Sequence, residues 1–402
     1  MSNETALRAE LIRLTRDLMV IESTDSHPAE RARCFQLLRN YLDEVPGVVL
    51  KSHQFNGYES LLVLPQGIEH PEILLNAHLD VVEHPQSESY RSEVKDGRIV
   101  GAGAGDMKGQ LAILLELFRK WHCAQPGLSL GLAVTSDEER GGEAGVKCLV
   151  EKLGLSCGVA IIPDGGSLNR ITVEEKGVLH LRLSSRGHSS HAARPWLADN
   201  PLERLVRRLP DVLSWFEDQR SMGTLPMNLK QDSNKRKEGQ ESGAAKSKEV
   251  LESDPHWYPT CSLTMMETPN DSVNCIPEVA TAALDVRFPP PWTVELVMEK
   301  LGSLLGEGIE LEVIIAAEPS HLAPDKRFVE LTTEVTGEEV ELIHASGGSD
   351  GRFFAQQGIP VILSRPEVGN LHGEDEWIDV DSMLVYFEIC DRYILEKLGD
   401  RS

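Results

Sequence analysis

His78 and Asp80 stand two residues apart just after the apolar run Ile73 to Ala77. In an extended backbone positions 78 and 80 project to the same side, so the carboxylate can hold one imidazole nitrogen while the other faces a metal ion. Further acids share this placement. Asp106 ends the turn Gly101-Ala102-Gly103-Ala104-Gly105, Glu138 and Glu139 follow the apolar run Leu128 to Thr135, and Asp164 follows Val159 to Pro163. Carboxylates that share a confined site without a cation force one another to take up protons. Two doubly charged zinc ions remove the problem, because they balance three carboxylate ligands, Asp106, Glu139 and Asp164, together with a bridging hydroxide. His78 and a second histidine are then the neutral ligands, and Glu138 is left uncoordinated beside the hydroxide as a general base.

These residues need a scaffold that gathers strand ends. The strand-like run 73–77 is followed by a helical pattern from Met107 to Trp121, the run Leu128 to Thr135, a helical pattern from Glu143 to Leu153, and the run Val159 to Pro163. Such alternation predicts an α/β sheet covered by helices, whose ligands bind beyond the carboxyl ends of the strands. From Gly177 the pattern changes to strands at Val178 to Ser185, Cys261 to Glu267, Val279 to Phe288 and Ile309 to Ala316, with helices at Pro201 to Phe216 and Val294 to Leu305. After Pro319 the α/β pattern returns, with helices near Phe328 to Thr336 and Arg352 to Gln357 and strands at Val340 to His344 and Ile359 to Leu363. The expected fold is α/β, a catalytic domain with a mostly parallel central sheet flanked by helices, in two parts, 1–177 and 318–402, interrupted by an inserted α+β domain at 178–317. Within the insertion, 219–256 is polar and near neutral, and it reads as a flexible surface loop.

The 402 residues carry 40 Lys and Arg against 64 Asp and Glu, a net charge of −24. That balance repels phosphate, so nucleic acid and anionic membrane are excluded as partners. The segment Met1 to Met19, with Leu7, Leu11, Leu14 and Leu18 on one face, is an amphipathic domain helix and not a signal peptide. No apolar run approaches the roughly 18 residues needed to span a bilayer. The 7 cysteines are odd in number, scattered and free of Cys-x-x-Cys pairs, which points to a reducing cytoplasm.

Leu75-Asn76-Ala77-His78-Leu79-Asp80-Val81-Val82, Gly103-Ala104-Gly105-Asp106-Met107-Lys108-Gly109 and Thr135-Ser136-Asp137-Glu138-Glu139 resemble the three signatures of the dinuclear zinc hydrolases. That family includes acetylornithine deacetylase, succinyl-diaminopimelate desuccinylase, carboxypeptidase G, aminoacylase and cytosolic dipeptidases. The resemblance implies two Zn2+ per subunit, with Co2+ or Mn2+ as substitutes. It makes Asp106 the bridging ligand and Glu138 the base, pairs Asp164 with His78 at one metal, and pairs Glu139 with His372, in Asn370-Leu371-His372-Gly373-Glu374, at the other. It also implies a non-proline cis peptide after Asp106. The inserted domain is similar to the family's lid and dimerisation domain, so a homodimer through it is expected. His191, in Gly187-His188-Ser189-Ser190-His191, falls where the family places a histidine that polarises the scissile carbonyl, often at a neighbouring subunit's site. Asn274 and Arg287 match lid positions that contact substrate, and Gly348 and Ser349 lie in a turn that supports substrate binding. The Trp and Pro-Phe that commonly follow the first signature are absent, with Tyr90-Arg91-Ser92 nearby, and the Arg common before the second is Ala102.

The activity expected from this resemblance is zinc-dependent hydrolysis of an amide in a small dipeptide or N-acyl amino acid that carries a free carboxylate. Arg287 motivates the carboxylate, since a guanidinium pairs with it in a bidentate way. Asp at position 164 is commoner in the family's aminopeptidases and dipeptidases than in its deacylases, which favours peptides; an N-acetyl or N-succinyl amino acid deacylase is the alternative. Gly347-Gly348-Ser349-Asp350-Gly351 also satisfies Gly-x-Ser-x-Gly, so a serine hydrolase using Ser349, His372 and Glu367 is a rival. It leaves His78, Asp106, Glu138, Glu139 and Asp164 without a role. A non-catalytic binding scaffold would be marked by loss of the base, and Glu138 is present.

Overall fold

Ile73–His78, Leu130–Thr135 and Val159–Ile162 are strands buried along their whole length, as apolar runs without polar alternation should be. They pair in parallel, and Val361–Leu363 continues the parallel run beside Val159–Ile162. Both flanks are antiparallel: Tyr58–Pro65 with Val48–Phe55 on one side, Arg170–Glu175 against Val361–Leu363 on the other. The computed structural model describes residues 3–85, 87–222 and 256–399, and among these nine strands make up this sheet. Most of the segment expected to be a flexible loop, 219–256, lies outside the described residues.

The alternation along each central strand feeds two cores. Leu75 and Ile161 pack with Leu11, Leu18, Phe35, Leu114, Phe118 and Tyr386, which come from the helices Asn3–Met19, Pro28–Leu42, Gly109–Ala124 and Val380–Leu398. Leu74 and Ile162 face the other way, onto Val146, Leu149, Phe353 and Phe354 of the short helices Val146–Glu151 and Gly351–Gln356. The helix expected from Met107 begins instead at Gly109, because Asp106 and Met107 have non-helical backbones with φ of −141° and −131°.

By internal contacts the chain divides into two compact units, Met1–Val173 with His321–Ala345 and Ser349–Ser402, and Glu174–Ser320 with Ser346–Gly348. The second unit is a four-stranded antiparallel sheet, ordered Thr260–Glu267, Val279–Phe288, Gly177–Arg186, Ile309–Ala317. Every second residue of Val279–Phe288 is buried, the period of a sheet covered on one face. Helices Pro201–Met222 and Val294–Leu305 cover that face with Leu205, Val212, Phe216, Val297 and Leu301. Among the described residues no helix is long and apolar enough to cross a membrane.

Asp164 is followed directly by a tight turn. Gly166 there has φ +63°, and a methyl group on it would stand 2.0 Å from the carbonyl oxygen of Arg170. Gly154 has φ +68° but open space around it. Gly166→Ala should therefore cost about 3 kcal/mol, strain plus a backbone clash, and Gly154→Ala about 1 kcal/mol, strain alone. Urea midpoints followed by circular dichroism check this; equal shifts in the two variants would show that the turn yields.

Candidate metal centre

The parallel register sets His78 opposite Thr135, so the strands Ile73–His78 and Leu130–Thr135 end at the same height. Asp80, Glu138 and Glu139 leave the sheet together from there, and the Glu139 N–H donates to Asp80 Oδ2 at 3.0 Å. Asp164 leaves the neighbouring strand Val159–Ile162. A small antiparallel sheet brings in the rest: Val368–Gly369 pairs with Trp377–Asp379, which pairs with Arg98–Val100, so the loops holding Asp106 and His372 lie side by side. The buried Glu376 ties these loops. Its Oε1 accepts from the N–H groups of Gly105 and Asp106 at 2.7 and 2.9 Å, and its Oε2 from the His372 N–H at 3.2 Å. The Asp106–Met107 peptide is cis.

Asp106 presents one carboxylate oxygen to each histidine, with Oδ1 3.1 Å from His78 Nε2 and Oδ2 3.2 Å from His372 Nε2. His372 Nε2 is also 3.6 Å from Glu139 Oε2. Ligand atoms of His78, Glu138 and Asp164 all lie within 4.8 Å of one another, and so do those of Asp106, Glu139 and His372. Glu138 thus stands among the atoms of the first group. The expected His78–Asp80 pairing differs in detail: His78 Nδ1 meets the backbone carbonyl of Asp80 at 3.0 Å and its carboxylate only at 3.6 Å. That carboxylate is instead spent on the Glu139 amide, which fixes the turn carrying both glutamates.

Like charges and desolvation dominate the electrostatics. Desolvation, then the Asp106 charge, pushes Glu139 up to about 8 and Asp164 up to about 7. Desolvation, then Asp164, raises Glu138 well above the carboxylate range. Asp106 resists its own burial because the two histidines hold it below that range, and its hydrogen bond pushes His372 up to about 9. Asp80 Oδ1 and Glu139 Oε1 are buried without a hydrogen-bond partner among the described residues. Two imidazoles, a carboxylate facing both, three further carboxylates and orphaned buried oxygens are a donor set that suits a pair of zinc-like cations.

His191, Asn274 and Arg287, expected to belong to a lid, fall in the second unit. Ser190–His191 pairs with Cys275–Ile276, which brings His191 near Asn274 in the turn before that strand; the Asn274 carbonyl accepts from the Ala192 N–H at 2.8 Å. His191 is exposed, with Nδ1 accepting from Ala193 N–H at 3.1 Å. Arg287 is already engaged, donating to both oxygens of Asp285 at 2.7 and 3.0 Å with His180 Nε2 at 3.3 Å. Gly348 belongs with the second unit and Ser349 with the first. Ser349 is buried and its Oγ accepts from the Gly351 N–H at 3.1 Å, while His372 is directed at Asp106 and Glu139 and Glu367 Oε1 accepts from Leu168 N–H at 3.4 Å. Among the described residues no hydrogen bond or ion pair joins Ser349, His372 and Glu367 to one another.

Three residues around the site escaped the sequence reading. Glu376 had a weak signal, the acidic run Glu374-Asp375-Glu376 after His372. Asp137 accepts from the N–H groups of Ala144 and Gly145 at 2.7 and 2.9 Å, closing the loop beneath Glu138, and nothing in its spacing separates it from its acidic neighbours. Arg365 NH1 lies 3.7 Å from Asp164 Oδ1, and only the strand register could have revealed it.

Residues 74–396 match the model of peptidase family M20/M25/M40. The chain is 28% identical over 394 residues to a succinyl-diaminopimelate desuccinylase of Thioalkalivibrio sulfidiphilus, covering 91% of this chain and 95% of the relative. Its fold is similar to an M20 family metallo-carboxypeptidase from Sulfolobus solfataricus, with TM-score 0.73, 18% identity and coverage of 98% and 99%. It is also similar to a dinuclear metal binding peptidase of the M20 family from Bacillus subtilis, with TM-score 0.63, 13% identity and coverage of 98% and 99%. With a family match spanning most of its length over a fold and a paired donor set of this kind, the chain belongs to peptidase family M20/M25/M40 and is a metal-dependent amide hydrolase.

Proposed function

We propose that the protein hydrolyses the amide of a small dipeptide or N-acyl amino acid carrying a free carboxylate, using two zinc ions. The observation that carries this reading is Asp106, one carboxylate with an oxygen toward His78 and the other toward His372. His78 and Asp164 would hold one ion, Glu139 and His372 the other, and Asp106 both. Bound there, the ions would supply Lewis acidity and lower the pKa of a shared water. Glu138 takes the proton of the attacking water and returns it to the leaving amine. Asp80 steadies the turn that carries Glu138 and Glu139. In the lid, His191 polarises the scissile carbonyl, with Asn274 in the turn before the adjoining strand, and it acts on the site of a second subunit in a homodimer built through this domain. Gly348 and Ser349 shape the turn that receives substrate. The second reading, an N-succinyl amino acid deacylase, is favoured by the likeness to the desuccinylase relative. A cytoplasmic setting is supported by seven cysteines that are all unpaired.

Glu138→Gln should lower kcat by about 10²–10⁴-fold while zinc content, measured by mass spectrometry, stays at the wild-type level. Parallel loss of zinc and turnover would instead make Glu138 a ligand, as its place among the first group of atoms allows.

Zinc should replace protons. Asp164 at about 7 and Glu139 at about 8 lie above their unfolded values near 4, so the folded, zinc-free protein carries extra protons between about pH 4 and 8. Its stability therefore falls as pH rises through that window, and His372, raised to about 9, acts in the same direction. The gain in Tm on adding zinc should be larger at pH 8 than at pH 6, and zinc binding at pH 7 should release protons, seen as a calorimetric enthalpy that depends on the buffer. An enthalpy independent of buffer would remove these carboxyls from the binding site.

Mixing inactive Glu138→Ala and inactive His191→Ala subunits should restore part of the activity through hybrid dimers. No recovery after demonstrated subunit exchange would confine His191 to its own chain's site or to none.

A further inference from the structure

Arg365 follows the strand Val361–Leu363, whose parallel register sets Leu363 opposite Ile162. Two residues beyond that pair, Arg365 and Asp164 leave the sheet side by side, with Arg365 NH1 3.7 Å from Asp164 Oδ1 and side chains only 15% and 10% exposed. The separation exceeds a hydrogen bond. Arg365 Nε is buried without a partner, and the guanidinium makes no hydrogen bond to protein among the described residues. The other cations near the cluster are spent: Lys108 Nζ donates to the Ile21 carbonyl at 2.6 Å, and Arg352 NH2 to the Gly141 carbonyl at 2.6 Å. The charge of Arg365 reaches the ligand cluster, where it eases the ionisation of Asp106 and Asp164.

A largely buried guanidinium with five unspent donors is costly unless an anion completes it. Asp164 cannot do so at 3.7 Å, and its oxygens are claimed if it ligates a metal. The fork geometry of the group matches a carboxylate in a bidentate way. Arg287, the guanidinium singled out by the sequence, already has both oxygens of Asp285.

We propose that Arg365 is a substrate-binding residue, which takes a carboxylate of the substrate beside the candidate metal centre and so selects anionic over neutral amides. The proposal rests on the amide-hydrolase reading above and gives that reading its own anion subsite within the unit that carries the metal ligands. The carboxylate can come from either side of the scissile bond, the C-terminus of a dipeptide or the acyl chain of an N-succinyl amino acid.

The test compares wild type, Arg365→Gln and Arg365→Lys on four probes: alanylalanine and its amide, and N-succinyl-alaninamide and its N-butyryl counterpart. Arg365→Gln should raise KM by on the order of tenfold or more for the charged member of one pair, leaving its neutral counterpart and the zinc content unchanged. The affected pair identifies the source of the carboxylate. Arg365→Lys, which keeps the charge without the fork, should fall in between. Equal loss on charged and neutral probes, or zinc loss in step with turnover, would overturn the proposal and leave Arg365 as a support for Asp164. Calorimetric titration of the zinc-loaded proteins with succinate and with alanine gives a readout independent of turnover. Arg365→Gln should weaken one of these ligands by the same factor, and unchanged affinity for both would overturn the proposal even if wild type proved to cleave none of the probes. Failure of the hydrolase reading shows separately, as absence of zinc-dependent turnover in the wild type on all four.

Discussion

Asp106 offers one oxygen to His78 and the other to His372, while Glu138, Glu139 and Asp164 crowd around it, each holding its proton more tightly than a free carboxylate does. Such a cluster opposes folding unless positive charge enters it, because desolvation and mutual repulsion both penalise the ionised forms. Much of the first unit can be understood as the framework that tolerates this. The four parallel strands are buried on both faces and fix the height at which His78, Glu138 and Asp164 leave the sheet. Glu376 fastens the two loops that no strand of the large sheet can reach.

The same crowding bears on Glu138, the proposed general base, whose proton affinity is raised by desolvation and by the charge of Asp164. Its backbone is constrained from both directions: Asp80 receives the amide of the next residue, and Asp137 folds the following loop back beneath it. Acids that the sequence presents as one run, Asp137-Glu138-Glu139, thereby meet three different surroundings.

The second unit follows a simpler logic. One face of its antiparallel sheet is covered by two amphipathic helices, and the strand Val279–Phe288 alternates buried and half-buried residues along its length. Arg287 lies on the half-buried side, where Asp285, two residues away on the same strand, and His180 on the adjacent strand meet it. An arginine that looks available in sequence is neutralised by the period of the strand that carries it.

The amino-acid sequence by itself determined the element types, because continuous apolar runs mark doubly buried strands and a period of two marks a sheet covered on one face. It also exposed His78, Glu138, Glu139 and Asp164 as candidates, since polar groups directly after apolar runs end at one edge of a parallel sheet, and Asp106 after a glycine-rich turn, whereas His372 was named through the family resemblance of its segment. The N-terminal helix and the strand Val279–Phe288 were legible for the same reason of strict periodicity. Pro28–Leu42 and the hairpin Val48–Phe55 with Tyr58–Pro65 were passed over, although Asn56-Gly57, at φ of +50° and +85°, carries the sequence signal of a tight hairpin turn. What only the tertiary structure decided is partnership. Arg365 meets Asp164 because two strands far apart in sequence, Val159–Ile162 and Val361–Leu363, pair in one register; Glu376 meets Asp106 because a small sheet joins distant loops; and Ser349 and His372, eligible together on paper, are turned toward different neighbours. Local pattern reports which face of an element is buried, whereas which charged groups share that burial depends on pairings between segments that the pattern of neither one contains.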